Sequence, residues 1–294
     1  MTVITRVALG VALVGALAVP AAQAQAPSTA PGASATDRAK TLRAAADALG
    51  MGRWSDIGTQ NTRLPGIDIV NTQELTASGM SDMGGRMVKT DMKVALGYNP
   101  AAMRIEATRT PESGTPQHTI HTVRETWAWD ESQIGGGLVP GKGTATPAMA
   151  ALRERLRYLW TLPFGVVKAA YAAGDKTVVS TEGGATVITA PLSGPLAGMS
   201  VKATLDAKNL MTKVEARADN PALANLATVM EYSDYADHAE VLTDIKTPGH
   251  IVEKSGGRTV LDLTVKSWET NNPYLVFPVP PNVKSASASS PTSR

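Results

Sequence analysis

The chain of 294 residues contains no cysteine. That absence excludes disulfides, thiolate zinc sites, iron–sulfur clusters and a cysteine nucleophile. Aromatic residues are scarce at 4%, so a site built on ring faces has few positions to draw on. An excess of one charge is also missing: 28 Lys and Arg stand against 26 Asp and Glu, for a formal net charge of +2. Nucleic-acid binding needs a clustered basic face, and this balance argues against that partner. After the first 24 residues, no stretch approaches 18 consecutive apolar residues, so no later segment reads as a spanning helix. The hydrophobic content of 43% is nevertheless enough, at this length, for a substantial core.

The N-terminus reads as an export signal. Arg6 is the only early charge, Val7 to Val19 is a short apolar run, and Ala22-Gln23-Ala24 is a small-x-small cleavage pattern. The run is shorter than the roughly 20 residues a bilayer span requires. A lipid-anchored bacterial protein carries a cysteine just after its signal. With none here, a soluble periplasmic protein without a stable membrane anchor is expected. Residues 25–36 read as a flexible leader and 284–294 as a disordered Ser/Ala/Pro tail. The body, 37–283, has no linker that would split it and reads as one domain.

Within the body, Thr36, Asp37 and Gly50 predict the start and end of a first helix whose apolar stripe includes Leu42, Ala46 and Leu49. Most of the remainder alternates apolar and polar residues, as in Met103-Arg104-Ile105-Glu106-Ala107. Period-two alternation predicts strands with one buried and one wet face, which antiparallel sheets tolerate. Such strands are expected near 68–78, 86–98, 119–129, 176–181, 185–190, 213–218, 226–235 and 249–254. A helical hairpin interrupts them. Thr146 and Pro147 predict its start, Pro163 its second segment and Gly174 its end. The fold class is therefore α+β: a curved antiparallel sheet, an open half-barrel, with short helices covering its concave face.

Several motifs fail their own tests. Gly136, Gly141 and Lys142 approach a phosphate loop, but Gly143 stands where the hydroxyl residue belongs and no parallel βαβ unit surrounds them. His118 and His121 are three apart in a strand and point to opposite faces, so they do not chelate together. Asp130-Glu131 reads as a solvated strand end. No residue set predicts a metal or a catalytic group, and no cofactor is expected. Met80, Met83, Met87, Met92 and Met103 fall within 24 residues and read as core or loop filling, as an adaptable ligand surface or as a Cu(I) site. The most informative feature is the helical stripe of Met149, Leu152, Leu156, Trp160, Phe164 and Tyr171. It either closes the core or lines a pocket at the mouth of the sheet. Trp127 and Met87 are the further candidates for that pocket. Arg153, Arg155 and Arg157 flank the stripe as a solvated face, with a second role open to them in holding an anionic head group.

Three stretches carry a family resemblance: Trp127-Ala128-Trp129-Asp130; Trp160-Thr161-Leu162-Pro163-Phe164-Gly165-Val166-Val167-Lys168-Ala169-Ala170; and the run from Tyr232-Ser233-Asp234-Tyr235 through His250-Ile251-Val252-Glu253-Lys254-Ser255-Gly256-Gly257 to Leu261-Asp262-Leu263-Thr264-Val265. With the order of elements, they resemble the periplasmic lipoprotein-carrier (LolA/LolB-like) half-barrel family. They are most similar to the region that precedes the metallo-β-lactamase-fold domain in some exported hydrolases. Phe164 departs from that pattern, which has a His there, and no His-x-His-x-Asp-His cluster occurs. The resemblance therefore implies no catalysis. It implies a binding protein for a lipid, acyl chain or other hydrophobic ligand. The alternatives are an interaction module for a separately encoded exported metallo-hydrolase and a Met/His copper-binding protein.

Overall fold

The structure, a computed structural model, describes residues 34–51, 70–237 and 245–288. The expected signal and most of the expected leader lie outside them, as does His238. The chain enters in helix α1 (Ala35–Ala48), one residue before the expected cap. Ser34, not Thr36, closes the first turn: its Oγ accepts from the Asp37 N–H at 3.2 Å. Leu42, Ala45, Ala46 and Leu49 recur at helical spacing and are all buried. Gly50 follows with φ +80°, a conformation that favours glycine.

The strands follow the alternation. In chain order they are β1 (Thr72–Met83), β2 (Arg86–Tyr98), β3 (Ala101–Thr110), β4 (Gln117–Arg124), β5 (Trp127–Glu131), β6 (Ala145–Pro147), β7 (Val178–Glu182), β8 (Ala185–Pro191), β9 (Met199–Leu205), β10 (Met211–Ala218) and β11 (Thr228–Ser233). The short pair β12 (Ala236–Asp237) and β13 (Lys246–Thr247) and the strands β14 (His250–Ser255) and β15 (Arg258–Thr270) complete them. Thirteen form one antiparallel sheet in the order β6-β5-β4-β3-β2-β1-β15-β14-β11-β10-β9-β8-β7. The order is linear, so the sheet is an open, curved half-barrel with β6 and β7 as its edges.

Three expectations are corrected here. The single strand predicted over 119–129 is two strands, because Glu125 at φ +51° turns the chain between β4 and β5. Thr146 and Pro147 do not open a helix. They pair with Asp130 and Trp129 as the edge strand β6, and a 3-10 turn at Met149–Ala151 leads into the helix. Lys284 lies not in an irregular tail but in helix α4 (Pro281–Ala288). Val279 and the fully buried Val283 pack there with Trp129 and Ala145 on the convex face, in a small second core.

The edge strands are linked through α2 (Leu152–Thr161) and α3 (Pro163–Ala173). Leu162 is extended, as a residue before proline tends to be, and separates the two helices. The carbonyls at the helix ends find partners: Tyr232 Oη donates to Thr161 O at 2.8 Å and Thr177 Oγ1 to Ala170 O at 2.6 Å. Leu159, Leu162, Phe164 and Val166 have no exposed surface and fill the middle of the concave face. Gly165 permits the elbow, since a Cβ there would sit 2.4 Å from Leu159 O and 3.1 Å from Trp160 Cα. Gly165→Ala is accordingly expected to cost about 1–3 kcal/mol. Urea unfolding checks this, and an unchanged midpoint contradicts the tight elbow.

Candidate functional site

Helix α2 presents two working faces. Ala151, Glu154, Arg155 and Tyr158 follow the i, i+3, i+4, i+7 pattern of one face, and Leu156 and Trp160, at i and i+4, share another. A cavity lies against each face.

The Leu156 and Trp160 side borders a cavity of about 550 Å³. Its other walls are Ala169, Ala172 and Ala173 of α3 and the connection from Pro191 to Leu196 between β8 and β9. The alanines explain the space, since side chains this small leave a gap that leucines would fill. The Trp160 ring stands 6.0 Å from the Tyr98 ring at a tilt of 49°. Glu125, Thr126 and Lys176 add polar groups.

The opposite face of α2 borders a cavity of about 580 Å³ with a different chemistry. Arg109, His121, Arg155, Arg157, Tyr158 and Glu253 are among its lining residues. Strand β4 aims His121 inward, where Nδ1 lies 2.7 Å from Asp130 Oδ1 and 3.2 Å from Arg155 Nη2. Arg155 also donates to Asp130, and to the carbonyls of Thr122 (3.0 Å) and Trp129 (2.7 Å). Arg157 reaches the other half of the sheet and donates from Nη2 to Glu253 Oε1 at 3.0 Å. Thr228 Oγ1 donates to the same oxygen at 3.1 Å. Burial pushes the Tyr158 hydroxyl well above the usual tyrosine range, and the Glu253 charge adds to the rise.

Of the eight candidates from the sequence, Leu156 and Trp160 meet in the apolar cavity. Phe164 is fully buried in the core, with Leu152 and Tyr171 partly buried against it. Met149 is half-buried in the turn before α2. Trp127 is turned to the convex face, against the small second core. Met87 faces outward too. From Val88 to Leu96 of β2 the buried residues alternate, Val88, Thr90, Met92, Val94 and Leu96, and it is Met92 that reaches the polar cavity. The methionine cluster is thus divided between faces. His118 pairs with Glu106 and His121 with Asp130, on opposite sides of the sheet. Among the described residues, no group of three or more His, Asp or Glu could hold a metal ion.

The arginines and the Asp130-Glu131 pair differ from expectation. Arg153 is exposed, but the side chains of Arg155 and Arg157 retain only 11% and 8% exposure. Glu131 is buried, not solvated. It accepts from Thr122 Oγ1 (2.7 Å), Trp129 Nε1 (2.9 Å) and the Gly135 N–H (2.6 Å), which anchors the loop between β5 and β6. No local pattern in the sequence pairs His121 with Asp130 or Arg157 with Glu253, because sheet register and helix docking make those contacts.

No family model matches the chain, and no curated protein matches it. Solved structures do. One is a domain assigned as an outer membrane lipoprotein-sorting protein from Vibrio parahaemolyticus, 12% identical, covering 80% of this chain and 94% of its own, with a TM-score of 0.42. Another is a DUF1329 family protein from Desulfovibrio piger, 9% identical, covering 81% of this chain and 94% of its own, with a TM-score of 0.43.

Asp130 gives the site a pH signature. Partial burial works to raise its pKa, but the hydrogen bonds and charges of His121 and Arg155 outweigh it, and the net shift is downward. A carboxylate held low contributes stability above its unfolded value of about 4 and loses it as pH falls through the lower folded value. Asp130→Asn should therefore lower Tm at pH 6, with the gap to wild type narrowing as pH falls below about 4. Thermal unfolding across that range checks this; a gap that persists undiminished at pH 3 contradicts it.

Proposed function

We propose that the protein is an exported binding protein that holds a lipid, acyl chain or other hydrophobic ligand and performs no chemistry on it. The observation that carries this reading is the apolar cavity beside Leu156 and Trp160. Its volume of about 550 Å³ falls within the range of small-molecule sites. Its walls are methyl groups, proline rings and an indole face, with polar residues confined to a few positions. Such a surface favours a ligand that contributes apolar area, about 0.8 kcal/mol for each methylene removed from water. The export signal read in residues 1–24 supports a ligand met in the periplasm.

Binding by this cavity predicts a steric effect. Ala172 lines it yet is itself exposed, so a large side chain there fills the space without disturbing the core. Wild-type protein should bind dansyl-undecanoic acid saturably, and Ala172→Trp should weaken binding about tenfold or more, with Tm nearly unchanged. Fluorescence titration measures this. No binding by wild type, or equal binding by the variant, overturns the proposal.

A further inference from the structure

Among the described residues, six large apolar side chains are exposed, and four of them come from two short segments: Ile134 (56%), Val139 (49%), Tyr274 (87%) and Val276 (66%). One segment is the loop 132–144 between β5 and β6, and the other is 271–283, which leads from β15 into α4. The segments are neighbours. Ile134 and Leu275 line one groove of about 310 Å³, and a Cβ on Gly137 would lie 3.4 Å from Pro280 Cβ. Single exposed apolar residues are ordinary on a protein surface, but a cluster of them marks a contact site.

The polar side chains of both segments are turned inward. Asn272 Nδ2 donates to Glu74 Oε2 at 2.6 Å and Asn282 Nδ2 to Ala145 O at 2.7 Å. Asn271 Oδ1 accepts from the Asn71 N–H at 3.0 Å, and Ser132 Oγ from the Thr144 N–H at 2.8 Å. The usual surface arrangement is reversed: polar groups are used inside and apolar groups face out. Lys142 is the one charged residue in the two segments together. The charges that line the groove, Glu74, Lys93, Arg104, Glu106 and Glu269, stand on the strands and are of both signs.

These groups suit one kind of partner. A protein interface carries about one hydrogen bond per 100–200 Å² and needs outward donors and acceptors. A lipid surface needs apolar side chains and favours tyrosine at its boundary with water and basic over acidic residues. The position of the patch agrees. Phe277 O accepts from Arg124 Nη1 at 3.1 Å, and the next two residues, Glu125 and Thr126, line the apolar cavity. Patch and cavity thus meet at the turn between β4 and β5.

We propose that Ile134, Val139, Tyr274 and Val276 form a docking surface for a lipid bilayer, which enters to the depth of these side chains and holds the β4–β5 turn against the membrane. A hydrophobic ligand then passes between bilayer and cavity with little exposure to water. That last step rests on the ligand reading above; the docking itself does not.

The absence of cysteine makes the test direct, because one introduced thiol carries a dye at a chosen place. Val276→Cys and, as a control, Lys208→Cys in the exposed turn between β9 and β10 are labelled with the environment-sensitive dye NBD and mixed with vesicles of phosphatidylethanolamine and phosphatidylglycerol. Emission from position 276 should shift to the blue, with that from position 208 unchanged. In vesicle flotation, the double variant Tyr274→Ser, Val276→Glu should bind about tenfold more weakly than wild type. Its Tm should match wild type, since both side chains are exposed. These readouts are local to the patch, so vesicle binding by the apolar run 7–19 does not imitate them. An unshifted label at 276, or equal flotation of the double variant, overturns the proposal. So does a wild-type dimer that the double variant dissociates in the absence of vesicle binding, which assigns the patch to a second copy. Titration with dansyl-undecanoic acid in vesicle-free buffer keeps the two readings apart. The double variant should bind it as wild type does, and loss of that binding overturns a separate docking surface. Docking by a protein that binds no fatty acid overturns the ligand reading alone.

Discussion

The architecture depends on one connection. Strands β6 and β7 are neighbours along the chain, but they are the two opposite edges of the thirteen-stranded sheet. Residues 148–177 must join those edges, and the concave face needs an apolar cover. A single helical hairpin meets both demands. At 1.5 Å per residue, the ten residues of α2 and eleven of α3 span about 15 Å and 17 Å. The elbow at Leu162-Pro163 bends them to follow the curve, with Gly165 allowing close approach. Helix α1 packs beside α3 and extends the cover on that side, and the flanks of α2 stay less filled. The middle is filled by Phe164 and its neighbours, and space remains along the flanks of α2. Both cavities are consequences of this geometry.

Much of the sheet is legible from residue alternation, and the second helix is legible down to Pro163 and Gly174. The failures have particular causes. The turn between β4 and β5 uses Glu125-Thr126, without Gly, Pro, Asn or Asp, so nothing in the local chemistry announces it. Thr146-Pro147 has the composition of a helix start, yet its backbone completes the edge of a ladder. Helix α4 hides in a Ser/Ala/Pro-rich segment, and only Val283 marks its buried side, next to Val279 just ahead of the helix. For Met87, the error is one of parity. Adjacent strand residues face opposite ways, so Met87 and Met92, five apart, take opposite faces, and the register of β2 with its neighbours decides which.

The candidate site divides along the same line. Leu156 and Trp160 are visible as a stripe because helical spacing is a local property. The polar cavity is not visible, because its parts come from distant strands. Arg155 and Arg157 alternate with apolar residues as a solvated face would. Only docking of α2 brings Arg157 to Glu253, 96 residues away, and Arg155 to the hairpin of β4 and β5. The sequence also carries no sign that Glu131 is buried, since its donors are brought together from β3 (Arg104), β4 (Thr122), β5 (Trp129) and the following loop (Gly135).

These polar contacts supply something apolar packing does not. A stripe of leucines on a curved sheet tolerates small rotations of the helix about its axis, because dispersion contacts are not directional. Guanidinium hydrogen bonds are directional. Arg155 ties α2 to carbonyls of β4 and β5, and Arg157 ties it to β14 in the other half of the sheet. Buried ion pairs of this kind add little net stability, because desolvation offsets their attraction. Their effect here is to set the rotation of α2. With both tethers made, Leu156 and Trp160 can face only the apolar cavity and Tyr158 only the polar one. Rotating the helix by one residue, about 100°, would break both tethers at once and bury the wrong face. The two cavities therefore keep separate chemistries although a single helix forms the wall between them.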